Sequence, residues 1–151
     1  MRRYCEADQQ RTPMQPDFLD AHDRHRHDAE LLYSQKRWAN ADHLFGLAAE
    51  CGLKRLMIAF GMVVGSEGRP QDSLDRVHAD KVWARYEAYR SGYANGSNYV
   101  LTTNNPFSGW DISQRYARGD QFDESRVSAH RRGAEVVRTL LKQARVDGIL
   151  S

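Results

Sequence analysis

The chain has 151 residues, about the length of one average domain, and with 40% hydrophobic residues it can bury a core without disulfide or metal staples. Its formal charge of +2 excludes the strongly basic composition of many free-standing nucleic-acid binders. No run approaches the roughly 18 apolar residues a membrane span needs, and MRRYCEADQQ carries no apolar signal core, so a soluble, unexported protein is expected.

Two cysteines, Cys5 and Cys51, form no CxxC pair and no metal-like cluster, which fits a reducing cytoplasm. The basic residues are 18 Arg and 4 Lys. That choice suits bidentate recognition of phosphate or carboxylate, and it equally fits a genome rich in Arg codons.

Residues 1–16 hold two prolines, mixed charge and no periodicity, and are expected to be a flexible arm before a single helical domain over residues 17–151. Asp17 or Asp20 can cap a first helix to about Gln35, with Phe18, Ala21, His25, Leu32 and Ala29 on one face and the charged HDRHRHD on the other. After a join at Arg37 to Asn40, a second helix is expected from about Ala41 to Val63. It is apolar almost all round, the pattern of a central helix enclosed by its neighbours. Gly46, Gly52 and Gly61 weaken it locally and point to close approach of other helices.

GSEGRPQDS reads as a loop, and Asp72 or Ser73 can cap a third helix to about Ser91, with Leu74, His78, Val82, Tyr86 and Tyr89 on one broad face. The stretch from Gly92 to Gly119 is rich in Gly, Asn and aromatics, with room for a short extended segment at Tyr99 to Thr102. Tyr93, Tyr99, Phe107, Trp110 and Tyr116 argue for an ordered loop. A last helix runs from near Asp123 to about Val146, where Gly148 ends it. Val127, His130, Ala134, Val137, Leu141 and Ala144 form its core stripe. The predicted class is all-α, an up-down bundle with a long aromatic-rich loop before the last helix.

Chemistry concentrates in DHLFGLAAECGLK, residues 42–54. His43, Glu50 and Lys54 recur at spacings of seven and four, which at about 100° per residue puts them on one narrow face of the second helix. They can form a polar pocket with His43 moving a proton and Glu50 tuned by burial and by Lys54, or a plain i,i+4 ion pair beside a satisfied histidine. His22, His25 and His27 do not share one side of their helix, so no metal or other cofactor is expected. His78 and His130 lie on apolar stripes, the usual place of packed, hydrogen-bonded histidines. Arg115 and Tyr116, which close the long loop, can bind phosphate and stack on a base, or can simply anchor the loop.

DAELLYSQKRWANADHLFGLAAECGLKRLM resembles the first two helices of the HEPN superfamily, whose second helix ends in AxExxLKxL; Ala48, Glu50, Leu53, Lys54 and Leu56 match that ending. QRYARGD before the terminal helix is similar to the Arg-Tyr turn of these domains. The resemblance implies a bundle of four or five helices that dimerises, in a family of ribonuclease toxins, phage-defence effectors and non-catalytic RNA or nucleotide binders. Its nucleases carry R-x4-6-H near the last two helices. Here Arg126 and His130 are one residue too close, and Arg37 with His43 fits the spacing but lies between the first and second helices.

The expected function is therefore action on or binding to RNA, as a metal-independent ribonuclease of a toxin or phage-defence system. His43, His78, Arg115 and Tyr116 are the expected catalytic residues, with Arg37, Glu50 and Lys54 in support. The expected partners are a second copy of the chain, RNA or a nucleotide, and an antitoxin or complex subunit. The alternative is a non-catalytic helical interaction or nucleotide-binding subunit of a larger complex.

Overall fold

A computed structural model describes residues 14–150. All but the last three residues of the expected arm lie outside this range. Pro16, at its end, sits so close to Gly68 that a Cβ on the glycine would stand 2.6 Å from the proline ring.

Four helices form an all-α bundle: α1 (Phe18–Ser34), α2 (Trp38–Ala59), α3 (Ala79–Ser91) and α4 (Glu124–Val146). α2 packs against each of the other three, as a helix without a polar face must. Its Ala48, Ala49, Leu53, Leu56 and Met57 are buried. No helix among the described residues is long and apolar enough to cross a membrane.

The helix ends follow local chemistry. Asp17 caps α1 through the backbone N–H of Asp20, and Asp123 caps α4 through that of Arg126. At the end of α2, the Met62 N–H reaches back to the Met57 carbonyl at 2.8 Å, with Gly61 left-handed at φ 114°. That closure is a Schellman motif, and it ends α2 at Ala59 rather than at the expected Val63. Gly148, φ 74°, closes α4 in the same way, with the Ile149 N–H donating to Ala144. The α1–α2 join is a third such motif, but its left-handed residue is Lys36, φ 58°.

Three expectations shift. α2 begins at Trp38, so the join is shorter than the sequence suggested. Asp72 does cap, but only a 3-10 turn (Ser73–Asp75); α3 starts at Ala79 with His78 as its N-cap residue. Leu74 consequently stands exposed, outside the helix face assigned to it. The buried Asp75 holds this connection by accepting from Arg85 and Tyr89. In α1 the buried face is centred on His22 and Ala29, so the inward stripe is rotated toward His22, which the sequence had put among solvated charges.

The long connection between α3 and α4 is a packed wall. It contains 3-10 turns at Gly96–Tyr99, Ile112–Tyr116 and Gly119–Gln121; the first takes Tyr99 out of the expected extended segment, Val100 keeps an extended backbone, and Tyr99, Phe107 and Trp110 are buried in the core. Phe107 stacks on His130 of α4 and meets Trp83 of α3, which ties the loop to both helices. The Tyr86 hydroxyl donates to the Tyr99 carbonyl at 2.7 Å, satisfying a buried polar group inside that wall.

Candidate functional site

The polar seam of α2 opens onto a surface bordered by the start of α3 and the turn at Ile112–Tyr116. Glu50 is its centre. Its carboxylate accepts from Nδ1 of His78 at 2.8 Å through Oε1, and Nζ of Lys54 stands 3.5 Å from Oε2. The Glu50 and Lys54 side chains are 10% and 8% exposed, whereas that of His78 is 48% exposed. Because the carboxylate can only accept, it fixes the proton on Nδ1 and leaves the outer nitrogen of His78 to face solvent. Lys54 also lies over the Phe18 ring of α1, 5.9 Å from its centroid.

His43 sits two turns further toward the start of α2, stacked on the Trp110 indole with ring centroids 5.6 Å apart and planes 13° apart. Burial, and next the charge of Arg115, hold its imidazole below the ordinary value; Asp42 and Glu50 act against that shift. His43 is therefore neutral at neutral pH, the form that can take a proton. Its Nδ1 is buried without a hydrogen-bond partner. Arg115 itself lies over the Tyr116 ring at 4.8 Å, and Tyr116 is 79% exposed.

Under this surface lies a second network, centred on the fully buried Asp42. Oδ1 accepts from Nδ1 of His130 at 2.5 Å, and Oδ2 accepts from Nε2 of Gln114 at 2.7 Å and Nε of Arg126 at 3.2 Å. The Trp110 indole N–H donates to the Asp42 carbonyl at 3.1 Å. Burial alone would raise the Asp42 carboxyl, but the bond from His130, its charge, and the Gln114 and Arg126 contacts together hold it below the ordinary range. The network joins α2, α4 and the turn at Ile112–Tyr116, and it carries the Trp110 platform on which His43 stacks. Gly46 makes that platform possible: a Cβ there would lie 2.1 Å from the indole.

The geometry thus brings Glu50, Lys54 and His78 together and places Glu50 and Arg115 within electrostatic reach of His43. His78 departs from the packed-core position its stripe suggested, because α3 begins after it. Arg37 stands apart, exposed at the N-terminal end of α2 beside a hollow lined by Lys36 and Trp38. His130 is buried and hydrogen-bonded. Arg126 and His130, one residue short of the R-x4-6-H spacing, converge on one carboxylate from adjacent turns of α4.

Sequence reasoning missed the role of Asp42 and Gln114. The available signal was the charge of Asp42 at the head of a nearly all-apolar helix, since an acid there needs buried donors. Among the described residues, no three His, Cys, Asp or Glu side chains are grouped as metal ligands. Compared with known proteins, the chain matches no family model, no curated protein and no solved structure.

Proposed function

We propose that this is an HEPN-like domain that cleaves RNA by metal-independent acid–base chemistry at the surface formed by His43, His78 and Arg115. The observation that carries the reading is that Glu50 both holds the exposed His78 and lies, with Arg115, within electrostatic reach of the neutral His43. Two histidines and a guanidinium on one face are a sufficient set for phosphodiester transesterification, in which positioning and charge stabilisation supply most of the acceleration.

His43 takes the proton of the ribose 2′-hydroxyl, and the 2′ oxygen forms its bond to phosphorus. The bond from phosphorus to the 5′ oxygen breaks, and His78, oriented by Glu50, delivers a proton to that leaving oxygen. Arg115 stabilises the charge on the phosphoryl oxygens as it develops. Tyr116, exposed beside Arg115, offers a ring on which a base can stack, worth about 1–3 kcal/mol per base. Lys54 acts through Glu50 as a positioning residue. The products are a 2′,3′-cyclic phosphate and a 5′-hydroxyl end. The homodimer, and a place in a toxin or defence system, are carried over from the resemblance alone.

The test is incubation of the full chain with total cellular RNA in EDTA, beside His43→Ala, His78→Ala and Arg115→Ala. Wild-type cleavage that falls about 100-fold or more in the histidine variants is the expected result. RNA left intact by the wild type, or cleaved equally by all variants, removes the catalytic reading. Intact RNA together with co-purification of another protein would favour the non-catalytic subunit.

A further inference from the structure

A second basic site lies between α1 and α4, on the opposite side of α2 from the seam. A cavity of about 130 Å³ is lined there by His22, Asp23 and Arg26 of α1 and by Arg138, Lys142 and Arg145 of α4. At roughly 30 Å³ per water it has the room of about four waters, enough for a tetrahedral oxyanion. Its floor is α2 itself. Nδ1 of His22 donates to the Ala48 carbonyl at 2.8 Å, and Gly52 leaves space there for His22, Val137 and Leu141.

Three features set this cavity apart from an ordinary solvated face. First, Arg138, Lys142 and Arg145 fall on one stripe of α4, where like charges at spacings of four and three repel one another. The helix dipole favours Arg145, in the last turn, but not Arg138, two turns earlier.

Second, the local carboxylates do not balance them. Arg138 is paired with Glu135 at 3.1 Å and Arg145 reaches Asp23 only at 4.0 Å, while Lys142 and Arg26 have no carboxylate within 4 Å among the described residues. Third, two buried nitrogens in the lining residues have no hydrogen-bond partner: Nε2 of His22 and Nε of Arg26. Buried polar atoms are rarely left so, and the Arg26 guanidinium makes no hydrogen bond or ion pair among the described residues.

We infer that this cavity is a binding site for a phosphate group, either inorganic phosphate or the terminal phosphate of a larger molecule. Four cations against Asp23 and the Glu135 that pairs with Arg138 leave a surplus of two, which a dianion matches and a single carboxylate does not. Guanidinium forks fit the edges of a phosphate tetrahedron. The site shares no residue with the seam, so it stands whether or not the RNA reading does.

The experiment is isothermal titration of the full chain with inorganic phosphate, with ionic strength held constant by potassium chloride. Saturable one-site binding is expected, weakened at least tenfold in Arg138→Gln and in Lys142→Gln. Both residues lie at the rim, so the variants should fold, and circular dichroism checks that. Arg132→Gln, an exposed arginine of α4 outside the cavity, should bind as wild type does. Adenosine monophosphate, a 5′-phosphorylated oligoribonucleotide and its 5′-hydroxyl counterpart are titrated as competitors. Displacement by the mononucleotide alone identifies a small phosphorylated ligand; displacement by the phosphorylated oligonucleotide but not by its counterpart identifies an RNA end. No saturable heat beyond the chloride control, or equal binding in all three variants, overturns the assignment.

Discussion

Nδ1 of His130 donates to Oδ1 of Asp42 at 2.5 Å, across 88 residues of sequence and between the two longest helices. This bond locks the register of α4 against α2 at the level of the Trp110 platform. Removing the acid strands the donors of His130, Gln114 and Arg126. Asp42→Ala should therefore cost about 3–5 kcal/mol in urea unfolding, and Asp42→Asn, which keeps an acceptor, clearly less. A loss below about 1 kcal/mol in Asp42→Ala would show that the network contributes little.

Gly46 and Trp110 make a second prediction. Because a Cβ at Gly46 would stand 2.1 Å from the indole, Gly46→Ala must push Trp110 off α2 or bend the helix. The expected cost is about 1–3 kcal/mol despite the better helix propensity of alanine. Trp110 fluorescence and the stacking of His43 should change with it. A variant more stable than wild type would contradict the packing.

Lys36 is the left-handed residue of a Schellman motif, at φ 58°, where glycine is the usual occupant. A lysine there carries about 1–2 kcal/mol of backbone strain, partly offset by the entropy a glycine would lose on folding. Lys36→Gly should raise the midpoint of thermal unfolding slightly. A lower midpoint would mean that the Lys36 side chain contributes more than its backbone costs.

Stability should fall on acidification in two stages. His22, His25 and His43 are each held below the ordinary value of 6.5, with burial as the largest cause in all three. Protonation thus favours the unfolded chain, so their contribution is complete above about pH 6.5 and is lost as pH falls through the folded values. Asp42, held below 3.8, contributes fully above that pH and loses its contribution beneath it. Urea midpoints measured downward from about pH 7.5 should decline, and a midpoint that rises between about pH 7.5 and 5 would be inconsistent with buried neutral histidines.

Glu50→Gln separates orientation of His78 from a purely structural role of the ion pair. Under the proposed function, the variant keeps its fold but cleaves RNA about tenfold or more slowly, and the pH dependence of cleavage moves. Loss of folding alone, with cleavage per folded molecule unchanged, would assign Glu50 to structure.

Periodicity and end signals in the sequence determined the four helices, the central place of α2, the caps at Asp17 and Asp123 and the stop at Gly148. Each of these depends on residues within a turn or two of one another. The alignment of His43, Glu50 and Lys54 was legible for the same reason, since a helix fixes the angle between its own residues. The tertiary structure decided which partners cross between elements. His78 met Glu50 because α3 starts six residues later than its first cap signal, Asp72, suggested. Asp42 became the buried acceptor of His130, Gln114 and Arg126, and four cations from two helices gathered around His22. Such pairings depend on how separate helices pack and rotate, and on where an intervening loop folds back. Local spacing does not encode these quantities, because they follow from the shape of the whole core.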